Sequence, residues 1–141
     1  MAQVSFYVVD GPLSVETLAC RLCRRVAIGA NTPLFVRFGT ADAMTAFDQL
    51  LWSFEADSFV PHHLDDGSIQ ASAAPVRLGL QLPDDFAGCC LNLADDAVNA
   101  HALAHVLEII GPDEHARLTG RVRFRAYQQQ GIAPKTHKIS A

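Results

Sequence analysis

The sequence predicts one α/β domain with a Rossmann-like, three-layer arrangement: a mixed, mostly parallel sheet with helices on both faces. The first observation is that strand-like and helix-like segments alternate from the first residues onward, which is typical of a parallel sheet layered with helices. The second is the length, because 141 residues, half of them hydrophobic, suffice for one core and are too few for two ordinary domains. Residues 1–141 are therefore predicted to form a single domain.

The predicted boundaries follow from hydrophobic spacing and from residues that start or stop helices. Ser14 and Thr40 are each placed to cap a helix, and Asp113 with Glu114 puts acidic groups at the positive end of a third helix dipole. The predicted elements are a strand over 4–9, a helix over 15–28, a strand over 34–38, a helix over 41–52, strands over 76–82 and 89–93, a helix over 95–103, a strand over 106–110 and a helix over 111–130. The strand over 76–82 is the candidate for an antiparallel strand, and residues 132–141 are expected to form a tail.

The last predicted helix separates into two faces when its residues are placed 100° apart. The apolar positions, expected to face the core, are Leu118, Val122 and Ala126. The roughly opposite positions are Arg117, Arg121, Phe124 and Gln128. A cationic face with an aromatic residue suits an anionic, partly apolar ligand. The alternative is that Phe124 packs beneath a loop and that the arginines only solubilise the helix.

Charge is distributed unevenly along the chain, whose formal net charge is −4. The segment from His115 onward carries six of the eleven basic residues and no acid. The rest of the chain has five arginines against fifteen acids, which gives 5 − 15 = −10. A basic end on an acidic body indicates an acidic partner at that end, either nucleic acid or protein.

The four cysteines are expected to be reduced and buried rather than redox-active or zinc-binding. Cys20 and Cys23 lie within a predicted helix, away from a helix N-terminus that would acidify a thiol. Cys89 and Cys90 are adjacent in a predicted strand and should point to opposite faces of the sheet.

The sequence lacks the usual motifs of nucleotide-binding and hydrolytic folds. It contains no G-x-x-x-x-G-K-[ST] loop, no G-x-G-x-x-G after the first strand and no G-x-S-x-G elbow. His62 and His63, close to Asp57, Asp65 and Asp66, are the best catalytic or metal-ligating candidates, but adjacent histidines in a strand face opposite ways. His101 and His105 would share a helix face but have no third ligand nearby. No cofactor, metal or catalytic residue is therefore predicted.

No apolar run reaches the ~18 residues of a membrane span, and the first residues lack the basic segment of a signal peptide. A soluble, cytoplasmic protein without membrane contact is therefore expected.

Large aromatic residues surround an acidic segment in the middle of the chain. Trp52 ends the second predicted helix, and Phe54 and Phe59 flank Glu55 and Asp57. Large aromatics are commonly buried, but aromatics at loop edges are also typical anchors of protein–protein interfaces. This segment is a second candidate contact surface.

The block LLWSFEADSFVPHHL over residues 50–64 resembles the signature region of the chi subunit of bacterial DNA polymerase III. In that family a helix ends in a Leu-Trp pair, and a Ser-Phe-(Val/Ile)-Pro-His run follows. The strand with Phe6-Tyr7 that ends at Asp10 is similar to the start of the family, and RFRAY over 123–127 with the Lys135-Thr136-His137 tail is similar to its end.

The resemblance implies a non-enzymatic clamp-loader accessory protein with an α/β fold and no nucleotide site. Such proteins bind the psi subunit and the acidic C-terminal tail of single-stranded DNA-binding protein, and they contact DNA only indirectly. By position, the residues matching the tail-binding helix are Arg117, Arg121, Phe124, Arg125 and Gln128. Gln128 stands where the family often has a basic residue. The residues matching the region associated with psi, or with a repair helicase that competes for it, are Trp52, Phe59, Pro61 and His62.

Two other hypotheses stand beside this adaptor. A direct binder of single-stranded nucleic acid would show a steep dependence of affinity on salt. A small metal-dependent or redox enzyme would require a metal site or a reactive thiol.

Overall fold

The computed structural model describes residues 2–53, 61–65 and 74–139. Its helices are α1 (Val15–Arg24), which continues into a π-helical turn (Arg25–Gly29), α2 (Ala41–Ser53) and α3 (Glu114–Gln129). Its strands are β1 (Gln3–Val9), β2 (Leu34–Arg37), β3 (His62–Leu64), β4 (Val76–Gly79), β5 (Cys89–Asn92), β6 (His105–Ile110) and β7 (Lys135–Ile139). The three main predicted helices are confirmed with small shifts at their ends.

Side-chain caps start the three helices, and the caps at Ser14 and Thr40 are the ones that the sequence predicts. The Ser14 Oγ accepts the Thr17 amide at 3.1 Å, and the Thr40 Oγ1 accepts the Ala43 amide at 3.2 Å. Asp113 does the same for α3, because its Oδ1 accepts the Ala116 amide at 2.8 Å. Each cap satisfies one of the amide groups that a helix leaves without a backbone partner at its start.

The seven described strands form one sheet in the order β3-β4-β2-β5-β6-β1-β7, and each neighbouring pair runs parallel. The antiparallel orientation considered for residues 76–82 is wrong, because β4 pairs in parallel with β2, with Leu34 opposite Val76.

Two segments differ from the sequence prediction in their secondary structure. Residues 132–141 are not only a tail, because β7 pairs with β1, with Ser5 opposite Lys135. The predicted helix over 95–103 is wrong, because this segment is irregular and its backbone groups bind the side chains of Tyr127 in α3 and of Gln130 directly after it. The Tyr127 Oη accepts the Val98 amide at 3.3 Å, and the Gln130 side chain binds both the Ala100 amide and the Val98 carbonyl, at 3.0 and 2.8 Å.

Separate hydrophobic cores cover the two faces of the sheet, which confirms the three-layer prediction. On one face, α1 and α2 bury Leu18, Leu22, Phe47 and Leu51 against the strands. On the other face, α3 and the irregular segment before β6 pack on a second cluster. The larger side chains of that cluster are Phe6, Phe35, Phe86, Val98, Leu103 and Tyr127.

The orientation predicted for α3 is wrong. Leu118 and Val122, expected in the core, are each 59% exposed, and the fully buried positions are instead Gly120, Arg123 and Tyr127. Gly120 lies so close to the sheet that an added Cβ would be 2.6 Å from the Ile110 Cδ1. A glycine, a paired arginine and a tyrosine therefore set the rotation of this helix. These three residue types do not give an apolar stripe in the sequence.

Candidate protein-binding surfaces

A buried polar network attaches α3 to the sheet. Glu108 on β6 is fully buried, and its Oε1 accepts a hydrogen bond from the Arg123 Nε at 2.8 Å. Its Oε2 accepts from the Tyr127 Oη at 2.6 Å and from the Asn92 Nδ2 at 2.9 Å. Burial raises the pKa of Glu108, against the lowering effect of the Arg123 charge and these hydrogen bonds. The network fixes which side of α3 faces the sheet.

The opposite side of α3 carries a surface that combines positive charge with exposed aliphatic carbon. We call it the α3 surface and define it as Arg117, Leu118, Arg121, Val122 and Arg125. Successive members of this set are one or three residues apart, so they share an arc of about 140° on the helix. In the described part of the chain, none of the three arginines forms an ion pair with an acidic side chain.

The sequence-predicted tail-binding residues fall partly on the α3 surface. Arg117, Arg121, Arg125 and Gln128 are exposed. Phe124 is half-buried at the border of the surface, with its ring centroid 5.2 Å from that of Phe6. The aromatic ring thus contributes mainly to the core, and the apolar part of the α3 surface comes from Leu118 and Val122.

Sequence reasoning missed Leu118 and Val122 as surface residues, although a signal for them exists. Gly120, Arg123, Phe124 and Tyr127 also recur at helical spacing, with two aromatic residues on that stripe. Burying Phe124 and Tyr127 removes more apolar surface from water than burying Leu118 and Val122.

Trp52 forms the centre of a second exposed surface, at the end of α2. Its side chain is 60% exposed, and its ring centroid lies 5.0 Å from that of His62 at an angle of 60°. The His62 Nε2 lies 3.0 Å from the Asp48 Oδ1, and the His62 side chain is 1% exposed. Asp48 and Trp52 are one helical turn apart, so α2 positions both groups around His62. The buried His62 ring therefore packs against the exposed Trp52 ring.

The remaining predicted psi-binding residues differ in how the structure places them. Pro61 is exposed directly before β3. Phe59 and Phe54 lie outside the described residues. We call the described part, Asp48, Trp52, Pro61 and His62, the Trp52 surface.

The histidine and cysteine candidates do not come together in the described ranges. The His63 Nδ1 lies 2.7 Å from the Leu64 carbonyl oxygen, and the His105 Nε2 lies 2.8 Å from the Ser5 Oγ. Within residues 2–53, 61–65 and 74–139, no three histidine, cysteine, aspartate or glutamate side chains are grouped to hold a metal ion.

All four cysteines are buried and free, as the sequence predicted. Burial raises the pKa of Cys20 and of Cys89 to about 12, and it also raises the pKa of Cys23 and Cys90. These thiols therefore carry little thiolate near neutral pH.

A cavity of about 490 Å³ lies at the carboxyl ends of β2, β5 and β6. Ligands of open α/β sheets commonly bind at this end of the strands. Here the polar wall includes Glu16, Asp95 and Asp113 together with His115 and Arg123, and Arg123 is already paired with the buried Glu108. These carboxylates oppose a phosphate group, and no nucleotide-binding motif accompanies the cavity in the sequence.

Comparison with known proteins shows the family of the chain. The family described as "DNA polymerase III chi subunit, HolC" matches residues 1–135. A curated protein of Pseudomonas aeruginosa, "DNA polymerase III subunit chi", is 28% identical over 143 aligned positions, which cover 99% of this chain and 98% of that protein. No helix in the described ranges has both the length and the apolar character needed to cross a membrane.

Proposed function

The chain belongs to the family of the DNA polymerase III chi subunit, and we propose that it is a non-catalytic adaptor between the psi subunit and single-stranded DNA-binding protein. Family membership supports an accessory role in bacterial DNA replication. The two partner assignments go further, and each depends on one of the surfaces described above.

The α3 surface is proposed to bind the acidic C-terminal tail of single-stranded DNA-binding protein. The observation that carries this assignment is the row of three exposed arginines, Arg117, Arg121 and Arg125, beside two exposed aliphatic side chains. Arginines four residues apart are about 6 Å apart along a helix, so the row spans about 12 Å. About four residues of an extended peptide cover the same length. Carboxylates of the tail would pair with the guanidinium groups, and its terminal aromatic ring would contact Leu118 and Val122.

The Trp52 surface is proposed to bind psi, or a repair helicase that competes with psi for it. An exposed tryptophan supported by a buried histidine is a preformed anchor, and tryptophan is enriched among the residues that dominate interface energies. The two proposed surfaces lie on different helices, α2 and α3, which pack on opposite faces of the sheet. One molecule could therefore hold both partners at once.

Direct binding of single-stranded DNA is less well supported. Proteins that grip single strands combine cations with aromatic rings on which bases stack, and Phe124 is turned toward Phe6. The net charge of −4 also disfavours a long polyanion.

A calorimetric titration with an acidic peptide ending in Pro-Phe tests the tail assignment. We expect micromolar binding that an amidated peptide loses, because amidation removes the terminal carboxylate. Arg121→Ala should weaken binding roughly ten- to a hundredfold, the loss of one charge-assisted contact. Lys138→Ala, which also removes one charge at an exposed position outside the α3 surface, is the matched control. Equal affinities for the folded Arg121→Ala protein and the wild type would contradict the assignment.

The psi assignment is tested by titrating the chain with the psi subunit. Trp52→Ala should weaken binding by at least about thirtyfold, which corresponds to a 2 kcal/mol anchor. Thr45→Ala, exposed on the same helix, should bind as the wild type does. Binding by Trp52→Ala within twofold of the wild type would show that Trp52 is not the anchor.

A further inference from the structure

A second cluster of arginines lies on α1, on the face of the sheet opposite to α3. Of the five arginines outside the C-terminal segment, Arg37 and Arg77 form ion pairs with Asp96 and Asp65, each at 3.0 Å. The other three are Arg21, Arg24 and Arg25, within five consecutive residues. The other arginines of the most acidic part of the chain are therefore close together in the sequence.

The helical geometry collects these arginines around an exposed isoleucine. Positions 21, 24, 25 and 28 share one side of the helix, and the sheet-facing side is formed by buried residues such as Leu22 and Cys23. Ile28 is 53% exposed, although an isoleucine is among the side chains most often buried. Arg21 and Arg25 form no ion pair with any acidic side chain of the described residues.

The same residues border a shallow hollow that is open to solvent. A cavity of about 330 Å³ is bounded by Arg21, Arg24, Arg25, Ile28 and Gly29. It forms where α1 passes into the π-helical turn, in which the Ala30 amide binds the Arg25 carbonyl at 2.9 Å. The space beside Gly29 is open, with no atom within 4 Å of an added Cβ. π-Helical turns occur frequently at functional sites.

The helix dipole explains only part of this arrangement. Basic residues in the last turn of a helix are favourable, which accounts for Arg21 and Arg24. It does not account for the exposed Ile28 or for the hollow. A ligand with carboxylates and an aliphatic group would use all three features, because guanidinium groups bind carboxylates in pairs of hydrogen bonds and Ile28 would bury apolar carbon.

We propose that the α1 hollow (Arg21, Arg24, Arg25, Ile28 and Gly29) is a further protein-binding site, which takes an internal acidic segment of a partner protein carrying an aliphatic side chain. None of the described residues that line the hollow is aromatic, so these residues offer no stacking surface of the kind that single-stranded nucleic acid uses. Because α1 and α3 pack on opposite faces of the sheet, the site is separate from the α3 surface.

The test is a titration with an acetylated and amidated peptide, Asp-Asp-Leu-Asp-Asp-Leu-Asp-Asp, which has no free terminal carboxylate. The double variant Arg21→Gln with Arg25→Gln should weaken its binding at least tenfold. The matched double variant Lys135→Gln with Lys138→Gln, which removes two exposed charges on β7, should stay within twofold of the wild type. Ile28→Ser should weaken binding several-fold, and backbone amide shifts on binding should map to residues 21–29.

Several outcomes would overturn the proposal. Equal losses of affinity in the two double variants would mean that peptide binding depends only on the overall charge of the protein. A loss below twofold in the α1 variant, or no binding by the wild type up to about 1 mM, would remove the site. Tighter binding of an oligothymidine of equal charge, lost in the α1 variant, would make it a nucleic-acid site instead. Unchanged thermal midpoints in the variants would show that the effects do not come from unfolding.

Discussion

Replacing Arg123 with methionine removes the guanidinium group that faces Glu108 and keeps most of the apolar side-chain stem. Glu108 is fully buried, and its Oε1 lies 2.8 Å from the Arg123 Nε, so the change leaves a buried carboxylate without its charged partner. Removing one member of such a pair costs about 3–5 kcal/mol of unfolding free energy. Tyr127 and Asn92 still donate to the other oxygen, so we expect a loss of about 3 kcal/mol, or about 10 °C in the thermal midpoint.

Urea denaturation at pH 7.5 and at pH 5.5 measures both the loss and its cause. Burial raises the pKa of Glu108 even beside Arg123, and removing the cation raises this pKa further. The folded variant then holds a proton that the unfolded chain releases above about pH 4.3, so its unfolding free energy rises as pH falls. Arg125→Met, at an exposed position, should change stability by less than about 0.5 kcal/mol. A loss below 1 kcal/mol at pH 7.5, or a larger loss at pH 5.5, would refute the reasoning.

Three further predictions concern stability and thiol reactivity. Burial, together with the charges of His137 and Lys135, lowers the pKa of His105, so the free energy of unfolding should decrease as pH falls below about 6.5. His105→Gln should flatten this dependence between pH 5 and 8, and equal slopes for the variant and the wild type would contradict the prediction. A thiol reagent at pH 8 should modify the four buried cysteines slowly in the folded protein and rapidly in guanidinium; equal rates would show that they are accessible. Gly120→Ala should lower the free energy of unfolding by about 1–3 kcal/mol, because the added Cβ would lie 2.6 Å from the Ile110 Cδ1. Gly29→Ala, where the space is open, should be neutral or slightly stabilising. Equal losses of unfolding free energy in the two variants, measured by denaturation, would contradict this packing.

The α/β layering could be predicted because its signals are local. Strands buried on both faces give short continuous apolar runs, and β1 and β2 lie in such runs. Helix starts are equally local, since a cap needs only one side chain and an amide three residues later, as at Ser14 and Asp113. Such features depend little on the rest of the fold.

The elements that sequence reasoning missed depend on distant partners. β7 is polar and exposed at the sheet edge, so only its pairing with β1 makes it a strand. The segment 95–103 has a helix-compatible composition, but hydrogen bonds with the Tyr127 and Gln130 side chains hold it in an irregular conformation. Both outcomes are tertiary effects that override local propensity.

The orientation of α3 illustrates the same limit on a candidate site. Arg121, Arg123 and Arg125 are three arginines in alternate positions, and composition does not distinguish them. A buried acid on β6 does distinguish them, because Glu108 draws Arg123 inward and the 100° step between helical residues then turns Arg121 and Arg125 outward. Glu108 was predicted only as part of a strand, so its effect on the helix was not visible in the helix sequence.

This arrangement also explains how α3 can present a cationic surface rigidly. The helix is held from beneath by hydrogen bonds from Arg123 and Tyr127 to one carboxylate, and these bonds use none of the exposed guanidinium groups. A binding surface on a helix locked in this way loses less conformational entropy when a flexible acidic peptide binds. Variants of the buried pair should therefore lose stability, whereas variants of Arg121 or Arg125 should lose binding and keep their stability. Measuring unfolding free energy and peptide affinity on the same proteins distinguishes the two groups.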